Sequence, residues 1–192
     1  MMIPIATLLE GYRTGYFPMA VDGQLDWFSP TWRGIVPLDR FHVPRRLMRA
    51  ARQGRFALTV NRAFSEVIRA CASRPDPSGN WINQDIADSY CALHEAGYAH
   101  SVETWSDTAL VGGLYGVSLR GAFFGESMFH SASDASKLAL CALVDRLRAR
   151  GYLLLDIQWL TPHLERFGAI EVPRPSYLKL LAAAMQKECR FV

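Results

Sequence analysis

Residues 99–158 constrain this chain more than any other stretch. AHSVETWS, ALVGGLYGVSL and GAFFGESMF are three strand-like runs joined by short Ser-Asp and Leu-Arg-Gly turns. Runs rich in Val, Phe, Tyr and Trp, separated by turn residues, predict an antiparallel meander. A long helix is predicted over 134–149, capped by Ser133 and stopped by Gly151. YLLLDIQ (152–158) then forms a nearly continuous apolar run, the pattern of a central buried strand. Meander, helix and strand together require an α+β fold.

The flanking sequence completes that class. A short helix is predicted over 4–14, ending at Gly15, and a Tyr-Phe-Pro turn follows it. RGIVPL (33–38) and FALTV (56–60) are probable strands, with a helix from Pro44 to Gly54 between them. Asn61 is expected to cap a helix whose apolar positions Phe64, Val67, Ile68 and Cys71 follow helical spacing. Asn83 caps another, with Ile86, Tyr90 and Leu93 on one face. TPHLERFG and PSYLKLLAAAMQK predict two closing helices. RPDPSGN (74–80) is the strongest linker signal. It divides the chain into a small N-terminal domain with a basic segment, 1–75, and a sheet-and-helix domain, 76–192.

Composition excludes several functional classes. No apolar run approaches the ~18 residues of a membrane span. MMIPIATLLEGYR lacks the basic start of a signal peptide, and Glu10 and Arg13 interrupt its apolar stretch. Cys71, Cys91, Cys141 and Cys189 are widely spaced, which predicts free thiols in a cytoplasmic protein. Between Arg40 and Arg62 stand seven arginines and no acid. A solvated helix face accounts for such a block, and so does an anionic partner. Arginine favours bidentate phosphate contact over simple solubilisation.

Three groups of residues can carry chemistry. Glu126 lies inside a strand, where carboxylates are depleted, and Gly125 beside it lets a backbone or ligand approach closely. A buried acid must be paired, protonated or functional. In the last case Glu126 is a fixed acceptor for a substrate ammonium or hydroxyl. Asp156 and Gln158 are two residues apart on one strand and so share a face, forming a possible hydrogen-bond relay or a structural pair. A carboxamide is no base, but it can orient an attacking amine while the acid takes up charge. Trp81 and Tyr90 flank the 74–80 loop and suit either packing or stacking on a base. The apolar set Leu114, Phe123, Met128, Leu140, Leu143, Leu147 and Leu155 reads as core. The histidines show no metal-ligand spacing, and Ser127 and His163 lack a third triad member.

In order, WFSPTWRGIV, NRAFSEVIRACA, YCALHEAGYAHSVETW, LVGGLYGV, GAFFGESMF, DASKLAL, DIQ and GAIEVPR resemble the leucyl/phenylalanyl-tRNA–protein transferase family over residues 11–177. The resemblance implies an α+β fold with a small N-terminal domain and a C-terminal sheet like that of the acyl-CoA N-acetyltransferases. It implies transfer of Leu or Phe, and less well Met, from aminoacyl-tRNA to the N-terminal Arg or Lys of a protein, marking it for N-degron degradation. By position, the aminoacyl pocket falls on Leu114, Phe123, Gly125, Glu126, Met128, Leu140 and Leu155. The contacts to the terminal adenosine fall on Trp81 and Tyr90, and the catalytic pair on Asp156 and Gln158. Arg45, Arg49 and Arg52 are assigned to tRNA phosphates. No cofactor, metal or membrane partner is expected.

Two departures affect the tRNA end: Met19 stands where the family has Trp after Phe-Pro, and the glycine-rich segment ahead of the first helix is missing. The alternative is an acyl-CoA-dependent N-acetyltransferase, which needs a glycine-rich pyrophosphate loop opening a helix. The long helix instead opens SDASK.

Overall fold

The computed structural model describes residues 2–74 and 80–192, with the side chains of Ala50 and Arg52 outside that description. Residues 75–79 of the expected 74–80 linker, and with them the expected division at 75/76, lie outside the described residues. Helix α1 (Ile5–Thr14) ends as expected at Gly15, whose φ of 87° presents its N–H to the last carbonyls of the helix. Strands β1 (Phe17–Val21) and β2 (Gln24–Phe28) form a hairpin where only a turn was expected. Its two-residue loop is Asp22-Gly23, both in the left-handed region, which matches the right-handed twist of the flanking strands. Pro18 is tolerated because β1 pairs only with β2.

The remaining elements are β3 (Trp32–Val36), α2 (Arg45–Arg52), β4 (Ala57–Val60), α3 (Phe64–Ala72) and α4 (Gln84–Glu95), followed by β5 (Ala99–Ser106), β6 (Ala109–Leu119) and β7 (Ala122–His130). Helix α5 (Ala135–Ala149), β8 (Leu154–Gln158), α6 (Pro162–Glu165), β9 (Ile170–Pro173) and α7 (Arg174–Met185) complete the chain. Seven strands form one sheet in the order β4-β5-β6-β7-β8-β3-β9, antiparallel except for the β7–β8 pair. Strands β3 and β4 precede residue 75 and yet belong to this sheet. One core packs α1, α3, α4 and α7 against one face, and a second packs α2 and α5 against the other. This is the α+β class expected from the sequence, a mixed sheet with flanking helices.

Two expected caps are corrected. Asn61 adopts φ 59° and ties β4 to β5, its Oδ1 accepting from Ser101 N at 3.0 Å. The α3 end is served instead by Glu103, whose Oε1 accepts from Ala63 N at 3.4 Å. At α5 the cap position belongs to Asp134, not Ser133, and the Asp134 carboxylate meets Lys137 Nζ at 2.5 Å. Asn83 caps α4 as expected, accepting from Ile86 N at 2.9 Å.

The site is created by a parting of strands. β7 and β8 pair only over Ala122–Phe124 and Leu154–Asp156. Beyond that point β7 continues with β6 and β8 continues with β3. Each strand also carries an irregularity there. Tyr115 faces Ser127 and Gly116 faces Gly125, so Glu126 is the extra residue of a bulge. On β8, Gln158 faces Gly34 and Asp156 faces Ile35, which leaves Ile157 extra. Bulges bend a strand and redirect side chains, and here they do so on both lips of the opening.

Candidate active site

A pocket of about 420 Å³ occupies the space between the parted strands. Buried Leu114, Leu140, Leu143 and Leu155 line its inner end, with Met128, Ile157 and Leu164 beside them. Glu126 and Gln158 are polar groups within it. Met19, Trp81, Trp159, Thr161 and His163 stand at the rim. An apolar cleft of this size with a few convergent polar groups is the usual form of a small-ligand site.

Glu126 is held by three donors. Tyr12 Oη donates to Oε1 at 2.8 Å, Tyr90 Oη to Oε2 at 3.1 Å, and Gln158 Nε2 to Oε1 at 3.2 Å. The two tyrosine hydroxyls also bond to each other. Protein surrounds the carboxylate on nearly every side while the side chain keeps an opening to the pocket. Burial therefore pushes the Glu126 carboxyl up to about 8, although the tyrosine hydrogen bonds pull the other way. Burial, and then the charge of Glu126, raise the phenols of Tyr12 and Tyr90 well above their ordinary value. They remain hydrogen-bond donors at any physiological pH.

Asp156 faces away from the pocket and is fully buried. Arg33, itself 1% exposed, grips it with Nε at 2.9 Å from Oδ1 and Nη2 at 2.7 Å from Oδ2. Tyr177 Oη adds a bond to Oδ2 at 2.6 Å. The guanidinium lies 4.6 Å from the ring centres of both Phe17 and Tyr177, and Nη1 donates to Gly15 O. The remaining Asp156 contact is with the backbone of Gln158, whose N–H donates to Oδ1 at 2.9 Å. Gln158 sits at φ 58°, a costly conformation for a residue with a side chain, and the N–H of Trp159 closes the turn on Ile157 O at 2.7 Å. Asp156 thus fixes the backbone that turns the Gln158 side chain into the pocket.

Of the residues assigned from sequence, Leu114, Gly125, Glu126, Met128, Leu140, Leu155, Gln158 and Trp81 all line this pocket. Phe123 does not: it is wholly buried behind the pocket, stacked on Phe191 at 5.1 Å. Tyr90 is 0% exposed, its hydroxyl bonds to Glu126, and its ring packs edge-on against Tyr115. Asp156 meets the backbone N–H of Gln158, while the Gln158 side chain turns to Glu126. Gly125 has open space around it, since a Cβ there would meet only Asp156 O at 3.5 Å. Ligand approach fits this space, and backbone crowding does not. Arg45 and Arg49 are exposed on α2, which contributes nothing to the pocket lining, and the Arg52 side chain lies outside the described residues.

Tyr12, Arg33, Tyr177 and Trp159 were missed by sequence reasoning. Arg33 carried a signal of the same kind as Glu126: a lone charge beside a glycine in an apolar strand. Among the described residues no group of three or more His, Cys, Asp or Glu is placed to hold a metal ion, and no helix is long and apolar enough to cross a membrane.

Parted strands that enclose an apolar pocket, with a carboxylate and a carboxamide inside it, define a small-ligand site. Residues 35–182 match the family described as leucyl/phenylalanyl-tRNA protein transferase, and residues 1–31 match that family's N-terminal domain. The chain belongs to this family. Its relatives include proteins named leucyl/phenylalanyl-tRNA–protein transferase in Herpetosiphon aurantiacus and Chlorobium luteolum. The first is 51% identical over 185 residues, 96% of this chain and 95% of the relative. The second is 47% identical over 194 residues, the full length of both. Among solved structures, L-PGS from Bacillus licheniformis covers 81% of this chain and 53% of its own, with 16% identity and a TM-score of 0.44.

Proposed function

We propose that this protein transfers leucine or phenylalanine, and less well methionine, from aminoacyl-tRNA to the N-terminal Arg or Lys of an acceptor protein. The mark would commit the acceptor to N-degron degradation in the cytoplasm. The observation that carries this reading is Glu126, held by Tyr12, Tyr90 and Gln158 inside an otherwise apolar pocket. An amino acid esterified through its carboxyl group has two features left to recognise, its side chain and its α-ammonium. The leucine-lined end suits the first and Glu126 the second. The positive charge of the ammonium favours the ionised carboxylate that burial disfavours in the empty pocket.

The ester is already activated, so no covalent enzyme intermediate is needed, and alignment is the main task. The acceptor α-amine, with a pKa near ~7.7–8.0, has a useful neutral fraction at cellular pH. Gln158 Nε2 is committed to Glu126, which leaves its side-chain oxygen to accept an N–H from the incoming amine. The amine attacks the ester carbonyl and forms the C–N bond. Collapse of the tetrahedral intermediate breaks the C–O bond, and the proton lost from nitrogen balances the released ribose hydroxyl. Asp156 acts through the Gln158 backbone.

An acetyl-CoA-dependent activity is not favoured: α5 opens with SDASK, without the glycine-rich loop that brings a pyrophosphate to a helix N-terminus. The test is incubation with Leu-tRNA and a peptide beginning with Arg, in parallel with acetyl-CoA and the same peptide. A mass gain of one leucyl residue, only from the tRNA, is expected. A gain of acetyl alone would overturn the reading.

A further inference from the structure

Trp159 is a large aromatic at the pocket rim that the core does not require. It follows β8 directly, lines the pocket and is 41% exposed. The indole meets Phe17 edge to face at 5.0 Å and Phe28 at 6.2 Å. The backbone behind it is fixed on two sides. Its N–H bonds to Ile157 O at 2.7 Å, and its carbonyl carbon lies only 2.7 Å from where a Cβ on Gly34 would stand. The indole is therefore a platform held at a set position, not a loose surface side chain.

Met19 stands at the same rim as this platform. It is two residues from Phe17 on β1, shares its face, and also lines the pocket. The neighbouring Ala20 N–H donates to Trp81 O at 3.1 Å, which binds the hairpin to the other side of the rim. Phe17 thus shares a strand face with Met19 and meets an indole that comes from a different part of the chain. A thioether packs softly and without a defined plane, whereas an indole offers the π-face on which a base stacks.

Resting on the transferase reading above, we propose that Trp159 provides the surface on which the terminal adenine of the aminoacyl-tRNA stacks. The base and the aminoacyl ester hang from one ribose, so the base must land within a sugar's width of the reacting carbonyl. Trp159 adjoins Gln158 in the chain and meets this requirement. Stacking on the indole holds the ester at the mouth while the leucine-lined end takes the side chain. Trp159 acts by holding the substrate in place.

The test uses two non-hydrolysable probes, phenylalanine amide-linked to the 3′ position of adenosine and the same compound with no base on the ribose. Wild-type protein is expected to prefer the adenosine probe by tenfold or more, the scale of one base–aromatic stack. Trp159→Ala should lose on the order of tenfold of that preference while binding the abasic probe as wild type does. Trp159→Phe should retain an intermediate preference, and adding Met19→Trp to Trp159→Ala should restore it. An unchanged preference in Trp159→Ala, or equal weakening of both probes, would overturn the proposal. Wild-type protein that transfers leucine in the peptide assay but shows no base preference sinks this inference alone. Wild-type protein that neither transfers nor binds sinks the transferase reading with it.

Discussion

The Arg33 guanidinium and the Asp156 carboxylate form a two-pronged ion pair with 1% and 0% side-chain exposure, 123 residues apart in sequence. Removing one member of such a pair strands the other charge in the core, at about 3–5 kcal/mol. Asp156→Asn and Arg33→Met are each expected to lose stability on this scale in denaturant titrations. The double variant should lose less than the two singles added, because neither charge is then left alone. The pair also supports the Gln158 turn, so Asp156→Asn should lower kcat without changing the shape of the pH–rate profile. A profile that lost one of its limbs would mean that Asp156 itself takes the proton.

Glu126 has a pH signature of its own. Burial first, and the nearby Asp156 charge to a lesser degree, hold its carboxyl up at about 8, while Tyr12, Tyr90 and Arg33 oppose the shift. A glutamate in the unfolded chain ionises near ~4.3. Between those values the unfolded state has lost a proton that the folded state retains, so rising pH favours unfolding. The Glu126 contribution is fully present below about pH 4 and is lost as pH rises through about 8. The slope should be somewhat below ~1.4 kcal/mol per pH unit, because the side chain opens to the pocket. Chemical denaturation at a series of pH values should show this decline in the empty protein, and Glu126→Gln should flatten it.

Two glycines on facing strands should respond oppositely to an added methyl. At Gly116 a Cβ would lie 2.2 Å from Phe124 O and 2.5 Å from the Phe123 ring, so Gly116→Ala forces the sheet apart beside the bulge. A loss of about 1–3 kcal/mol in unfolding free energy is expected. At Gly125 the nearest atom would be Asp156 O at 3.5 Å, so Gly125→Ala should fold within about 0.5 kcal/mol of wild type. Its methyl would protrude into the pocket and raise KM for phenylalanyl-tRNA more than for leucyl-tRNA.

The exposed arginines of α2 are testable through salt. If Arg45 and Arg49 meet tRNA phosphates, the double variant Arg45→Ala/Arg49→Ala should reduce the slope of log affinity against log salt by roughly 0.7 per lost contact. An unchanged slope would assign them to a solvated helix face.

What the sequence disclosed follows from which signals are local. The meander, α5 and β8 were legible because hydrophobic period and turn chemistry act over a few residues. Glu126 was legible as a charge where a strand should be apolar, although the bulge that turns it into the pocket was not. The hairpin was overlooked despite Asp22-Gly23, the strongest two-residue hairpin signal. Arg33, Tyr12 and Tyr177 join the site through contacts between distant segments, which no local period encodes. Tyr90 is instructive. Its helical face, shared with Ile86 and Leu93, pointed it inward, while its place beside the 74–80 loop and the family resemblance pointed to a base. The structure follows the periodicity.

The most direct measurement is single-turnover transfer of phenylalanine from Phe-tRNA to an Arg-peptide by wild type, Glu126→Gln and Gln158→Ala. Glu126→Gln is expected to weaken Phe-tRNA binding by tenfold or more, the scale of a lost charged hydrogen bond at about 1.5–3 kcal/mol. Gln158→Ala should slow the transfer step while leaving Phe-tRNA affinity largely intact. Wild-type rates and affinities in both variants would contradict the placing of the reaction at Glu126 and Gln158.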